Sequence, residues 1–385
     1  MRVLIAFDKF KDALTAHQAC EAAANGLRAK HPEWTLDLCP LTDGGDGFCT
    51  TLTRAAHGQF VYVDCAGPRG KRIDAPFGQI LTTDLPTSAR ARLGLATNLP
   101  LAVIEMAATS GLALLTEHER DSWQTSSFGT GEQILAAARA GAGAILLGVG
   151  GSATNDLGLG ALAALGWQFL DTDGEPIPLP TPATWERIIR IDRSRAAKLP
   201  PILIACDVTH PLLGERGATA TFGPQKGLRA TDVARLETEM RGMAALLGAA
   251  CEKPLTLAAT PGAGAAGGIA FGLMVAAGAR IVPGFELVAD WLDLPARINF
   301  ADLILTGEGR FDETSLGGKG PGSVVTAAHH SGKIVHIFAG SLGLSPELWA
   351  KSGANGHAIT PEAMSLAEAL PRTAELLTAA VLRHL

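Results

Sequence analysis

The chain has 385 residues, 47% of them apolar and 18% charged, with a formal net charge of −6. At roughly 100–200 residues per domain this length suggests two or three domains with sizeable cores. No basic run stands out, which argues against a nucleic-acid partner, because phosphate backbones are held by clustered Lys and Arg.

Residues 2–6 form the first of six apolar runs that read as buried parallel strands; the others are 101–106, 144–148, 202–205, 303–306 and 334–339. Helical patterns lie between them at 16–30, 131–141, 159–165, 231–248 and 363–385, the first with Thr15 as its N-cap. Residues 61–75 read as two short β segments around Gly67-Pro68-Arg69-Gly70, and 81–98 as a hairpin or mobile loop. Alternating strands and helices predict an α/β fold with largely parallel sheets. Ligands in such sheets bind beyond the carboxyl ends of the strands. Residues 254–279 carry no charge, and Gly264, Gly268 and Gly272 repeat the spacing of membrane helix pairs. Insertion is driven by Leu, Ile, Phe and Val, however, and this stretch is mostly Gly and Ala with two prolines. It reads as a glycine-rich loop entering a buried helix.

Four polar clusters follow apolar runs or precede helices. Asp8-Lys9-Phe10-Lys11 offers an acid and two bases that can bind a carboxylate, activate a hydroxyl, or pair with one another. Thr42-Asp43-Gly44-Gly45-Asp46-Gly47 sets two carboxylates around a glycine pair, a pattern suited to Mg²⁺ or to hydroxyl groups, with Asp43 or Asp46 also able to cap a following helix. Gly148-Val149-Gly150-Gly151-Ser152-Ala153-Thr154-Asn155-Asp156 lies between a strand and a helix, where exposed N–H groups suit an anion. It also matches G-x-G-x-x-A, with Asp171 downstream, which resembles a dinucleotide-binding turn. Thr306-Gly307-Glu308-Gly309-Arg310-Phe311-Asp312, followed by Lys319, puts Glu308, Arg310 and Asp312 on one side of an extended stretch. Such an acid-base-acid row can orient Mg²⁺-ATP or form a salt-bridge network.

Smaller signals are residues 125–131, Asp207 after the fourth apolar run, and Gly223-Pro224-Gln225-Lys226-Gly227. Walker-type phosphate loops, nucleophile elbows and H-E-x-x-H motifs do not occur. Cys20, Cys39, Cys49, Cys65, Cys206 and Cys251 show no metal or redox spacing, so a reduced, cytoplasmic protein is expected. The apolar start, residues 3–6, is too short for a signal peptide.

Taken in order, the clusters resemble the glycerate kinase family. The resemblance runs through Asp8-Lys9-Phe10-Lys11, Asp43-Gly44-Gly45-Asp46-Gly47, Ile104-Glu105-Met106-Ala107 and Phe128-Gly129-Thr130-Gly131-Glu132. It continues through Gly150-Gly151-Ser152-Ala153-Thr154-Asn155-Asp156, Asp207-Val208-Thr209, Phe222-Gly223-Pro224-Gln225-Lys226-Gly227, residues 261–268 and Thr306-Gly307-Glu308-Gly309-Arg310. Phe7, Lys9, Gln124 and Gly317-Gly318-Lys319 depart from its usual pattern, and residues 81–98 look longer than usual.

The resemblance implies two α/β domains with the active site in a cleft between them. One would be a discontinuous Rossmann- or flavodoxin-like domain, residues 1–60 plus 285–385, and the other an inserted α/β domain, residues 61–284. It implies transfer of the ATP γ-phosphate to a hydroxyl of D-glycerate, with Mg²⁺ and with the 2-position favoured over the 3-position. On that reading Asp8, Lys11, Asp156 and Arg310 are catalytic candidates. Gly44, Gly45, Gly150, Gly151, Ser152, Asn155, Thr130 and Lys319 bind substrate or phosphate, and Asp43, Asp46 and Glu308 hold metal. The expected partners are glycerate and ATP, with neither nucleic acid nor membrane, and a homo-oligomer is left open. The alternatives are a dinucleotide-binding oxidoreductase and a catalytically inactive sugar-acid sensor.

Overall fold

The computed structural model describes residues 1–317 and 320–385. In chain order its strands are β1 (Arg2–Phe7), β2 (Thr35–Leu38), β3 (Gln59–Ala66), β4 (Arg72–Leu81), β5 (Pro100–Glu105), β6 (Ala144–Gly148), β7 (Gln168–Leu170) and β8 (Arg190–Asp192). They continue with β9 (Ile202–Ala205), β10 (Arg280–Val282), β11 (Leu303–Gly307), β12 (Arg310–Asp312), β13 (Ile334–Ala339), β14 (Ser341–Gly343) and β15 (Asn355–Ala358). The chain divides into two units, one of residues 1–43 with 288–385 and one of residues 44–287.

In the first unit a wholly parallel sheet runs in the order β15-β13-β11-β1-β2. Its centre pairs Val3 with Leu303 and Phe7 with Gly307, so the carboxyl ends of β1 and β11 finish side by side. Residues Val3, Leu4, Ile5, Ala6 and Phe7 are all fully buried, as expected of a central parallel strand covered on both faces. The helix Ala16–Lys30 starts where the sequence predicts, at a capping box between Thr15 and Gln18, and packs on the C-terminal helix Thr373–His384.

In the second unit a mixed sheet runs β10-β9-β6-β5-β4-β3. Strands β5, β6, β9 and β10 are parallel, while β4 and β3 add an antiparallel hairpin through the Gly67–Gly70 turn predicted from sequence. The core of this unit joins β5, β6 and β9 to the helices Phe128–Arg139, Val233–Ala250 and Ala265–Ala277. The sequence reading set the domain limits at residues 60 and 285. The structure instead places 44–60 in this unit, because the helix Phe48–Ala55 packs on β4 and β5.

Two sequence expectations change. Residues 81–98 are not a hairpin but a 3₁₀ turn, Thr82–Asp84, followed by the helix Thr87–Leu93, which ends at Gly94 in the left-handed region. Ala89 and Leu93 of that helix are fully buried. The glycines of the uncharged stretch serve packing within the unit. Gly264 lies against the Pro211 carbonyl and Gly272 against the Leu157 carbonyl. Among the described residues, no helix is long and apolar enough to cross a membrane.

Candidate functional site

The first unit gathers charge at the adjacent ends of β1 and β11. Asp8 follows β1 directly, and its backbone N–H donates to the Gly307 carbonyl at 3.0 Å. Its Oδ1 accepts the Lys9 N–H at 2.7 Å. Burial pushes the Asp8 carboxyl up to about 7; the Asp43 and Glu308 charges add to the rise, and Lys9 opposes it. Glu308 is also raised, chiefly by burial, and its Oε1 is buried without a hydrogen-bond partner among the described residues. The Lys9 ammonium stands 4.0 Å from Asp43 Oδ1. A Cβ at Gly320 would come within 3.3 Å of Asp8 Oδ2, so the start of the helix Gly320–His330 closes over that carboxylate.

Of the remaining candidates here, Arg310 is mostly exposed and pairs with Asp312 at 3.0 Å, and Lys11 is exposed. Glu308, Arg310 and Asp312 therefore do not act as one row: Glu308 turns inward while the other two pair beside it. Lys319 lies outside the described residues.

In the second unit the glycine clusters meet each other. Gly150 donates its N–H to the Gly44 carbonyl at 3.0 Å. A Cβ at Gly150 would stand 2.6 Å from the Gly45 Cα, and Gly44 itself has φ of +93°. Both features require glycine. Asp46 is exposed, and its Oδ1 would be 2.8 Å from a Cβ at Gly151.

Neither Asp43 nor Asp46 caps the helix Phe48–Ala55. Its N-cap is Gly47, in the left-handed region, and the orphan N–H groups of Gly47 and Cys49 are accepted by the Glu105 carboxylate at 3.1 Å each. Glu105 ends β5, 58 residues from Gly47, so no local pattern could reveal this cap. Asp207 does the same for the helix Gly284–Trp291, accepting from Gly284 and Phe285 at 2.8 and 2.9 Å.

Behind the exposed Gly151 the loop dives inward. Thr154, Asn155 and Asp156 are fully buried, and the following helix, Leu159–Ala164, starts only after Gly158. The N-terminal N–H groups of that helix thus do not face the glycine turn. Asp156 accepts from the Ser127 N–H and Oγ at 2.7 Å each and from the Gly158 and Gly160 N–H groups at 3.2 Å. Burial raises its carboxyl, and these four donors pull it back. With both oxygens so engaged, Asp156 anchors the loop to the turn before the helix Phe128–Arg139. Thr130 is buried and bonds to Ser110 and Thr109 at 2.8 and 3.1 Å. Asn155 donates to Ser122 Oγ at 3.0 Å.

Lys226, only a minor signal in sequence, is fully buried here. Its Nζ donates to Ser152 Oγ at 2.9 Å and to the Thr154 carbonyl at 2.7 Å. Burial lowers its ammonium to about 7, with the Asp156 charge opposing.

The dinucleotide lookalike is spent elsewhere. Its glycines admit the neighbouring Gly44-Gly45 turn, and Asp171 binds the N–H groups of Asp173 and Glu175 within its own turn at 3.0 Å. Among the described residues no three His, Cys, Asp or Glu gather closely enough to hold a metal by themselves. The two carboxylates Asp43 and Glu308, the latter with a buried oxygen that has no partner among the described residues, suit a Mg²⁺ ion that takes its other ligands from phosphates and water.

Two α/β units with polar clusters at the carboxyl ends of parallel strands define an α/β protein of the class whose ligands bind beyond those strand ends. Residues 3–384 match the model of the Glycerate kinase family. Among curated relatives, a glycerate kinase from Halalkalibacterium halodurans is 36% identical over 379 residues, 97% of this chain and 95% of the relative. A glycerate 2-kinase from Escherichia coli K12 is 36% identical over 345 residues, 89% of this chain and 86% of the relative. Among solved structures, one described as glycerate kinase 2 from Salmonella typhimurium LT2 superposes with a TM-score of 0.76 at 35% identity, covering 100% of this chain and 96% of the other. The chain belongs to the glycerate kinase family.

Proposed function

We propose that this chain transfers the γ-phosphate of ATP to a hydroxyl of D-glycerate, giving 2-phosphoglycerate and ADP. The observation that carries the mechanism is the Asp8 carboxyl at the end of β1, raised to about 7 by burial and by the facing Asp43 and Glu308. A carboxylate poised near neutral pH suits a general base. The glycerate oxygen attacks the γ-phosphorus, the new O–P bond forms, and the bond from that phosphorus to the β,γ-bridging oxygen breaks to release ADP. Asp8 takes the hydroxyl proton and returns it to solvent. Lys9, held beside Asp43, and the exposed Lys11 and Arg310 offer positive charge to the glycerate carboxylate or the phosphates. Asp43 and Glu308 would hold Mg²⁺, which when bound neutralises phosphate charge. Asp46 is exposed beside Gly151 of its own unit, so this reading leaves it out of that pair.

The 2-position is supported by the relative named glycerate 2-kinase. The six buried free thiols support a reducing compartment such as the cytoplasm. The test is ADP release with ATP, Mg²⁺ and D-glycerate, with the product read by phosphorus NMR. Glycerate-dependent turnover to the 2-phosphate supports the reading. A 3-phosphate corrects the position, and bound nucleotide without turnover favours the sensor.

A further inference from the structure

Lys226 closes the 3₁₀ turn Pro224–Lys226, which is docked by Ser122: its hydroxyl donates to the Lys226 carbonyl at 3.2 Å and accepts from Asn155 at 3.0 Å. The side chain then runs wholly inside the unit to the underside of the glycine turn. A buried ammonium is costly unless it is well bonded, so its placement calls for a reason. Its two acceptors are Ser152 Oγ and the Thr154 carbonyl. Ser152 keeps 7% of its surface exposed and directly follows the exposed Gly151. Once Ser152 Oγ accepts from Lys226, its own proton has no acceptor among the described residues. Two more polar atoms of the same loop, Thr154 Oγ1 and Asn155 Oδ1, are buried without partners among the described residues. The internal network is therefore incomplete around Ser152.

We infer that Lys226 is a positioning residue for anion binding at the Gly150-Gly151 turn: by donating to Ser152 Oγ it directs the serine hydroxyl proton outward, to a carboxylate or phosphate oxygen. The inference rests on the kinase reading, which supplies two such anions, glycerate and the nucleotide. The serine is the contact, and the lysine acts through it while adding its charge to a dry interior where charge is weakly screened.

The test compares wild type, Lys226→Met, Ser152→Ala and the double variant of the full chain, titrated calorimetrically with D-glycerate and separately with ADP. Both single variants weaken one ligand at least about tenfold, as expected for a charge-assisted bond, and leave the other within about twofold. The double variant is no weaker than Lys226→Met, because the two act as one unit. An effect on D-glycerate assigns the turn to the carboxylate, and an effect on ADP assigns it to phosphate. A folded Lys226→Met with unchanged affinities overturns the inference. So does equal weakening of both ligands with a lower melting temperature, the mark of a merely structural lysine. If Lys226→Met does not fold, Ser152→Ala decides alone: selective weakening supports, unchanged affinity overturns. A wild type that binds but does not turn glycerate over removes the kinase reading, and the affinity comparison still decides Lys226. Wild type binding neither ligand overturns both.

Discussion

The carboxylate of Glu105, at the end of β5, accepts the N–H of Gly47, the left-handed residue that opens the helix Phe48–Ala55. It accepts the Cys49 N–H as well, so one buried side chain satisfies two orphan donors of the first helical turn. Glu105→Ala leaves both uncompensated and is expected to cost about 2–3 kcal/mol. Glu105→Gln, which keeps one acceptor oxygen, costs less. Denaturant midpoints at unchanged slope would show this order. Equal midpoints for all three proteins would remove Glu105 as the cap.

Asp8 is expected to control both rate and pH dependence. Asp8→Asn lowers kcat by roughly 10²–10⁴ if the carboxylate takes the proton. In the wild type kcat/KM falls as pH drops through the titration of Asp8, which lies at about 7 without metal and lower once Mg²⁺ offsets the Asp43 and Glu308 charges, and Asp8→Asn loses that limb. Stability moves the other way. A carboxyl raised from 3.8 to about 7 keeps its proton in the folded chain where the unfolded chain has lost it. Its contribution to stability therefore declines as pH rises from about 4 to 7. Asp8→Asn should melt higher than wild type at pH 8, with the gap closing toward pH 4. A kcat within a factor of two of wild type would take the base role from Asp8.

Metal binding separates two carboxylates from a third. Asp43→Asn and Glu308→Gln are each expected to raise the Mg²⁺ concentration for half-maximal rate at least about tenfold, equivalent to ~1.4 kcal/mol. Asp46→Asn is expected to change it little. A large effect at Asp46 alone, in a magnesium titration at fixed ATP, would reassign the metal.

Glycines divide by what a methyl group would meet. At Gly150 it would meet the Gly45 backbone at 2.6 Å, so Gly150→Ala must push two loops apart. The expected loss is about 1–3 kcal/mol, with weaker ligand binding. Gly242 is exposed within the helix Val233–Ala250, and its added Cβ would meet nothing. Gly242→Ala should gain about 0.5–1 kcal/mol from helix propensity alone. Thermal melts of the two variants should shift in opposite directions.

These contrasts mark where sequence reading works. The central strands were legible because a parallel strand covered on both faces is an unbroken apolar run, as at Leu303–Gly307. Thr15 was legible because its partner Gln18 is three residues away. Asp8 and Glu308 were legible as polar ends of apolar runs and Asp43 as part of a carboxylate-glycine cluster, but the burial that raises the Asp8 and Glu308 carboxyls exists only in the fold. The helix Thr87–Leu93 was hidden in a polar, small-residue stretch whose apolar contacts are only Ala89 and Leu93. The roles of Glu105 and Lys226 were hidden by distance: each sits in a motif visible in the sequence, but their partners lie 58 and 74 residues away. Asp156 was visible as a residue, but four converging donors exist only in the fold.

The placement of β1 also bears on synthesis. It lies between β2 and β11, and Ala6 accepts the hydroxyl of Thr306, 300 residues later in the chain. During synthesis β1 must therefore wait for its partner β11, about 300 residues further along the chain. At about 5–20 residues per second that wait is on the order of tens of seconds, while residues 44–287 can already complete their own sheet. Throughout it the run from Val3 to Phe7, entirely buried at the end, is an apolar strand with one edge unpaired. Until Leu303–Gly307 emerges and pairs with it, that edge is open to a chaperone.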